Sequence, residues 1–334
     1  MIYVCDFFAA KEAVSNQMEM LRAEHNSWIF SAVRFLGQKP LRIHDLLNRR
    51  VILPERIYNP LLYIIARTAK TGIHYFEEEP SGKIRFILNQ AKCDLYISMY
   101  RKPDRIYAKH LLKYKKLKNV FVELPNHRDI LLDFGVPGRV VKVYRTPSLF
   151  IPEENGKPYD PQNIKILYAS WNNAEGDPLE ERGINYLLDL VSSNKNLSLI
   201  VLPRDRKTSE FNKKVEALGI SKRVDMKWIK SMEDLKNSFK ECDFVAFTPK
   251  KKISKDVPNS IIDGLSLGKP CIISNVVDFN ETVAKKQIGI VLPKHKIFSF
   301  KISINKYRIM SRNAFLYSLH NTKDNYTKII DNYA

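Results

Sequence analysis

Two hydrophobic patterns recur along this chain: short runs of β-branched and aromatic residues, and longer stretches with apolar residues every three or four positions. MIYVCDF is of the first kind, and AAKEAVSNQMEMLRAEH follows with Ala13, Met20 and Leu21 at helical spacing. SWIFSAVRF reads as a strand, residues 55–70 as a helical region, and IHYF, KIRFILNQ and CDLYISMY come next. NVFVEL (119–124) is a strand, and HRDILLDFGV is a short helix stopping at Gly135. VVKVYRTPSLFIP then leads out of this half.

Residues 152–163, PEENGKPYDPQN, hold three prolines and a glycine among polar residues and are the best linker candidate. Beyond them the alternation is clearer. KILYASW, LSLIVLP, VDMKWI, DFVAFTP, PCIIS and GIVLP read as strands. RGINYLLDLVSS, SEFNKKVEALGI and SMEDLKNSFKEC read as helices, the last opening on a capping-box signature. Strands alternating with helices predict an α/β protein with parallel sheets and right-handed crossovers. Two such units would place a ligand beyond the carboxyl ends of their strands.

Composition narrows the class. With 334 residues, 44% of them hydrophobic, the chain is globular and long enough for two domains. No apolar run reaches the roughly 18 residues of a membrane span, and MIYVCDFFAAKEAV does not read as a signal peptide. Four scattered cysteines (Cys5, Cys93, Cys242, Cys271) argue against a zinc site or a disulfide framework and for a reducing, cytoplasmic setting. A net charge of +19 admits nucleic acid, an anionic membrane or phosphorylated substrates as partners, or a general solubility bias.

The stretch VPNSIIDGLSLGKPCIIS (257–274) follows the strand DFVAFTP and its loop. A helix is predicted to begin at Asn259 or Ser260, both good N-caps, and to end at Gly268. Its N–H groups and positive dipole end would then point beyond the strand, as a phosphate site requires. A capped packing helix would look the same in sequence, so both readings stand here.

An ordered series of segments carries a resemblance. NIKILYASW, ERGINYLLDLV, LSLIVLP, ISKRVDMKWIKSMEDLKNSFKECDFVAFTP, VPNSIIDGLSLGKPCIIS and FNETVAKKQIGIVLP together resemble the retaining glycosyltransferases of the large family that includes sucrose synthases and bacterial mannosyltransferases. The resemblance covers roughly residues 115–334. It implies the GT-B fold, two Rossmann-like domains with parallel sheets facing across a cleft. The implied divisions are an acceptor domain at 1–151, a nucleotide-sugar domain at 160–312 and a last helix, 313–334, crossing back. It also implies a nucleotide-sugar donor, UDP- or GDP-linked, with no cofactor and no metal.

Residue by residue, Asp263 matches the second of two family acids and would meet the ribose. The first falls at Lys255, a departure, with Asp256 adjacent as a substitute. Ser260 and Ile261 would offer backbone N–H groups to the diphosphate. A family Arg and Lys near the diphosphate fall at Ser170 and Arg182. Arg204 and Lys255 are candidates for the missing cation, which would stabilise the leaving oxygen. Glu281 matches a further family Glu that is more often structural than catalytic.

On the acceptor side, His74, His110 and His127 are the candidate polar groups, with His127 and Glu123 placed by the strand NVFVEL. RKPDRIYAKHLLKYKKLK (101–118) holds eight Lys or Arg and one Asp, with Ile106, Leu111, Leu112, Tyr114 and Leu117 interleaved. A basic amphipathic helix of this kind fits an anionic membrane surface and a lipid-linked acceptor, and equally an ordinary solvated face. A catalytically inactive relative and a nucleic-acid-binding protein are the competing readings; no nucleic-acid motif supports the second.

Overall fold

Strands that are apolar on both faces need cover on both sides, and a parallel sheet between helical layers supplies it. The computed structural model describes residues 1–5, 13–33, 49–77, 82–170, 178–203, 208–251, 255–293 and 299–333. The chain divides into two units, Met1–Arg145 with Lys323–Ala334, and Thr146–Thr322.

The first unit runs β1 (Ile2–Cys5), α1 (Ala13–His25), β2 (Trp28–Val33), β3 (Arg50–Pro54), α2 (Glu55–Thr68), β4 (Ile73–Glu77) and α3 (Gly82–Asn89). It continues through β5 (Leu95–Met99), α4 (Arg105–Leu111), β6 (Leu117–Val122), α5 (Pro125–Asp133) and β7 (Val141–Val143). The sheet order is β3-β2-β1-β4-β5-β6-β7, and every pairing is parallel. On one face Leu62, Ala66, Ile84, Leu88, Ala108 and Leu111, from α2, α3 and α4, share a core with Ile73, Leu95, Ile97 and Val120. On the other face Met18 and Leu21 of α1 pack with Tyr3, Ile29, Phe121 and Tyr144. The terminal helix completes that layer by burying Tyr326 and Ile330 in the same cluster.

The basic stretch departs from its prediction. Only Arg105–Leu111 is helical, capped by Asp104, whose carboxylate accepts from Tyr107 N–H at 2.7 Å. The residues after Leu112 turn and feed β6, because Tyr114 is drawn into the core while the lysines around it stay outside.

The second unit runs β8 (Ile164–Tyr168), α6 (Pro178–Glu181), α7 (Ile184–Ser193), β9 (Leu197–Val201), α8 (Ser209–Ala217), β10 (Val224–Met226), α9 (Met232–Glu241) and β11 (Phe244–Phe247). Then come α10 (Asn259–Ser266), β12 (Cys271–Ser274), α11 (Asn280–Lys286), β13 (Gly289–Leu292) and α12 (Ile304–Ser318), while α13 (Lys323–Asp331) returns to the first unit. The strand order is β10-β9-β8-β11-β12-β13, again all parallel. Order reverses between β8 and β11, so the crevice beyond their carboxyl ends is where a ligand is expected.

The Pro-rich stretch expected as a linker is docked on this unit. Lys157 Nζ reaches the buried Asp243 at 2.7 Å, Glu153 N–H donates to Ser266 O at 2.8 Å, and Tyr159 stacks on Tyr307 at 4.0 Å. The chain division falls at 145/146 instead, and α12 belongs wholly to the second unit. All four cysteines are free and buried, as packing residues.

Candidate active site

The site is built on the loops after β8 and β11 and on the first turn of α10. This helix starts one residue earlier than its sequence suggests: Pro258 is the N-cap, with φ −69° and ψ 126°, and no side chain caps it. Proline suits that place, since its fixed φ matches and no donor is lost. Asn259 and Ser260 are therefore the first helical residues, not the caps. Ile261 N–H turns back to Pro258 O at 3.0 Å and its side chain is buried, so it does not offer its N–H to a ligand. Asn259 and Ser260 carry the helix's leading N–H groups.

Two features lock α10 and its neighbour in place. Gly264 faces β11 so closely that a Cβ would lie 2.5 Å from Val245 Cγ2. Gly183, N-cap of α7, has φ +72°, and a Cβ there would lie 1.6 Å from Thr248 O. Only glycine lets the chain after β11 cross at that distance. Thr248 Oγ1 donates to Gly183 O at 3.2 Å and Lys250 N–H to Glu181 O at 3.0 Å, so the two loops are zipped together. Ion pairs Lys250–Glu180 and Lys251–Glu181 lie at the rim.

Four of the residues expected in the site meet here. Ser170 Oγ and Ser260 Oγ share a hydrogen bond at 2.7 Å. Arg182 donates from its guanidinium to Ser170 O at 3.2 Å, while its own carbonyl accepts from Tyr168 OH at 3.2 Å. Lys255 Nζ donates to Asn259 Oδ1 at 2.5 Å, placing a second cation over the same helical turn. Asp256 is buried just before the helix. Arg204 lies outside the described residues.

Asp263 is one turn further in and is buried. Its Oδ1 accepts from Leu149 N–H at 2.8 Å and from Ser148 Oγ at 3.1 Å. Burial raises its pKa from 3.8 to about 7, against the opposing pull of Leu149 N–H, the Ser148 hydroxyl and Lys255. Sequence reading missed these partners, which lie more than a hundred residues away along the chain. Glu281 is exposed on the first turn of α11.

The histidines separate. His127 is buried on the first turn of α5 in the first unit, close after Glu123, itself buried at the end of β6. The Glu123 carboxylate and, above all, burial push the Tyr144 phenol well above its usual range. His74 is a core residue near the start of β4. It is stacked between Phe76 and Phe121 and bonded to Ser98 Oγ at 2.9 Å, and burial depresses its pKa to about 3. His110 is on α4, where burial and then the neighbouring Arg85 lower its pKa. Neither His74 nor His110 stands at a carboxyl edge of the sheet, which corrects the expectation for both.

A cationic, hydroxyl-lined helix N-terminus at the reversal point of a parallel sheet is a site for an anion such as a diphosphate. Comparison agrees. Residues 176–311 match the family model described as "Glycosyl transferases group 1". The chain has the GT-B fold, and its residues 176–311 are similar to the group 1 glycosyl transferases. HepE from Anabaena, solved with UDP and glucose, has a TM-score of 0.70 at 11% identity, over 99% of this chain and 98% of that one. Sucrose-phosphate synthase from Thermosynechococcus elongatus gives 0.71 at 13%, over 99% and 98%. WaaG, a glycosyltransferase involved in lipopolysaccharide biosynthesis, gives 0.62 at 11%, over 99% of both chains. Among curated proteins none matches in sequence. The group 1 match contains Arg182, Lys255, Ser260 and Asp263, which places the candidate site inside it; Ser170 lies just upstream.

Proposed function

We propose that this protein transfers a sugar from a nucleoside-diphosphate donor, with retention of anomeric configuration and without a metal ion. The observation that carries the reading is the convergence of Ser170, Arg182, Lys255 and Ser260 on the N-terminus of α10, which lies within the residues that match the group 1 model. The diphosphate sits on the Asn259 and Ser260 N–H groups. Arg182 and Lys255 balance the charge that grows on the leaving oxygen, the part a metal ion plays elsewhere. Asp263 has Oδ1 engaged internally, so Oδ2 is the oxygen left to bond a ribose hydroxyl. The acceptor belongs to the first unit, where His127 and Glu123 are the polar groups beside the end of β6, and a lipid-linked acceptor fits the cationic surface of that unit. UDP is the first nucleotide to test, because HepE was solved with it.

Thermal unfolding against a panel of nucleoside diphosphates and sugar nucleotides tests the donor site. A ligand that binds only the folded chain raises the melting temperature by mass action. The expected result is a rise with one nucleotide that falls away in Arg182→Ala. Slow release of free sugar from the matching donor would show turnover. Nucleotide binding with no turnover toward any acceptor would favour an inactive binding subunit, and no nucleotide binding at all would defeat the reading.

A further inference from the structure

The first unit has an outer helical layer whose exposed face is neither ordinary nor used by the donor site. Helices α2, α3 and α4 all bury their inner faces against one side of the same sheet. Their outer faces therefore form one surface, about 20–30 Å across at the usual 8–10 Å between helix axes. Arg85 of α3 and His110 of α4 touch at 2.9 Å, joining two of the three helices.

Large apolar side chains stand out from this surface. Ile64 is 55% exposed on α2, Phe86 61% on α3 and Ile106 64% on α4, and Leu112 follows at 51%. Ile57 lies seven residues, two turns, before Ile64 and is also exposed, so α2 carries an apolar stripe on its solvent side. Around these side chains Lys83, Lys102, Arg105, Lys109 and Lys113 are exposed. Asp104, the one acid in 101–118, is committed to capping α4.

We propose that this α2–α3–α4 face docks on an anionic lipid bilayer, with Phe86, Ile106 and Ile64 entering the headgroup boundary and the lysines meeting lipid phosphates. It extends the reading of a membrane-side acceptor but is measured without donor or acceptor, so each can fail alone. Charge complementarity selects the occupant. A second copy of the chain would set two cationic faces against each other. A nucleic-acid duplex presents phosphates over a span of this size and no continuous apolar layer for Ile57, Ile64, Ile106 and Leu112 together. A lipid surface uses both, since apolar insertion and basic attraction add.

The test is cosedimentation of the full chain with vesicles of phosphatidylcholine alone and of phosphatidylcholine mixed with phosphatidylglycerol, at low and high salt. Binding is expected to the mixed vesicles only, weakened but not abolished by salt. Lys109→Glu with Lys113→Glu should lower partitioning on the order of tenfold. Phe86→Ser with Ile106→Ser should remove the salt-resistant part. All four positions are exposed, so the melting temperature and any nucleotide-induced rise should stay at the wild-type values. Equal binding to both vesicle types, no binding, or no effect of either double variant would overturn the proposal. So would tight binding to duplex DNA lost only with the lysine variant, or self-association abolished by Phe86→Ser.

Discussion

At the scale of single residues, Gly183 and Asp263 carry the sharpest expectations. Gly183 combines a positive φ with a carbonyl 1.6 Å from where a Cβ would be. Gly183→Ala must move Thr248 or its own loop, and both hold Arg182 in place. We expect a loss of at least about 2 kcal/mol in stability, together with loss of the nucleotide-induced rise in melting temperature. An alanine variant that melts and binds like wild type would mean the two loops are free to part. Asp263 gives a pH signature. Its folded pKa, about 7, lies above its unfolded value of 3.8. The folded state keeps a proton that the unfolded chain releases, so this group's contribution is greatest below pH 3.8, falls as pH rises to about 7, and is level beyond. Asp263→Asn keeps an oxygen for Leu149 and Ser148 but cannot ionise. Its stability relative to wild type should therefore climb between pH 4 and 7 in denaturant titrations. A constant difference across that range would show that Asp263 is not held in its neutral form.

At the scale of elements, legibility depended on how local the determining contacts are. The capping box of α9 was visible as Ser-x-x-Asp and is present, Ser231 Oγ accepting from Asp234 N–H at 3.0 Å and Asp234 accepting from Ser231 N–H at 3.0 Å. Ser231→Ala should cost about 1 kcal/mol, measured by urea unfolding, and leave nucleotide binding unchanged. The end of α5 at Gly135 was equally local, φ there being +86°. The start of α10 was not. Good N-cap residues stood at Asn259 and Ser260, but Pro258 ends the loop first, and this shift decides which N–H groups face a ligand. Arg182 was matched from the order of residues around Gly183, and its guanidinium reaches Ser170 O, another residue matched in the same way. The partners of Asp263 were not legible, since no local pattern ties Ser148 to a helix so far along the chain. His74 was misread because alternation along a strand does not say which histidine meets two phenylalanine rings inside the sheet. The basic stretch 101–118 kept its charge but not its predicted length, because Tyr114 packs inward where a longer helix would have continued.

At the scale of the whole molecule, the first unit is assembled from two distant pieces of chain, while residues 176–311, which match the group 1 model, lie within one continuous piece. Helix α13 brings Tyr326 and Ile330 into the core formed by Tyr3, Phe121 and Tyr144. Its end is fastened by His25 to Asp331 at 2.5 Å, by Asn119 Nδ2 to Tyr333 O at 2.6 Å and by Lys142 over the Tyr333 ring at 4.1 Å. Removing a buried aromatic side chain of this size costs about 3–5 kcal/mol. Tyr326→Ala should therefore weaken β1, α1 and β6, which share its cluster, and leave β8, β11 and α10 nearly as protected as before. Hydrogen exchange read peptide by peptide separates the two units directly. Exchange should accelerate in peptides covering 1–5, 13–25 and 117–122 and stay slow in those covering 164–168 and 244–247. The nucleotide-induced protection at 259–266 should persist, because every residue that builds the anion site lies in the second unit. If protection at 164–168 fell as far as at 1–5, stability would be shared across the chain, and the donor site could not be treated as the property of one continuous unit.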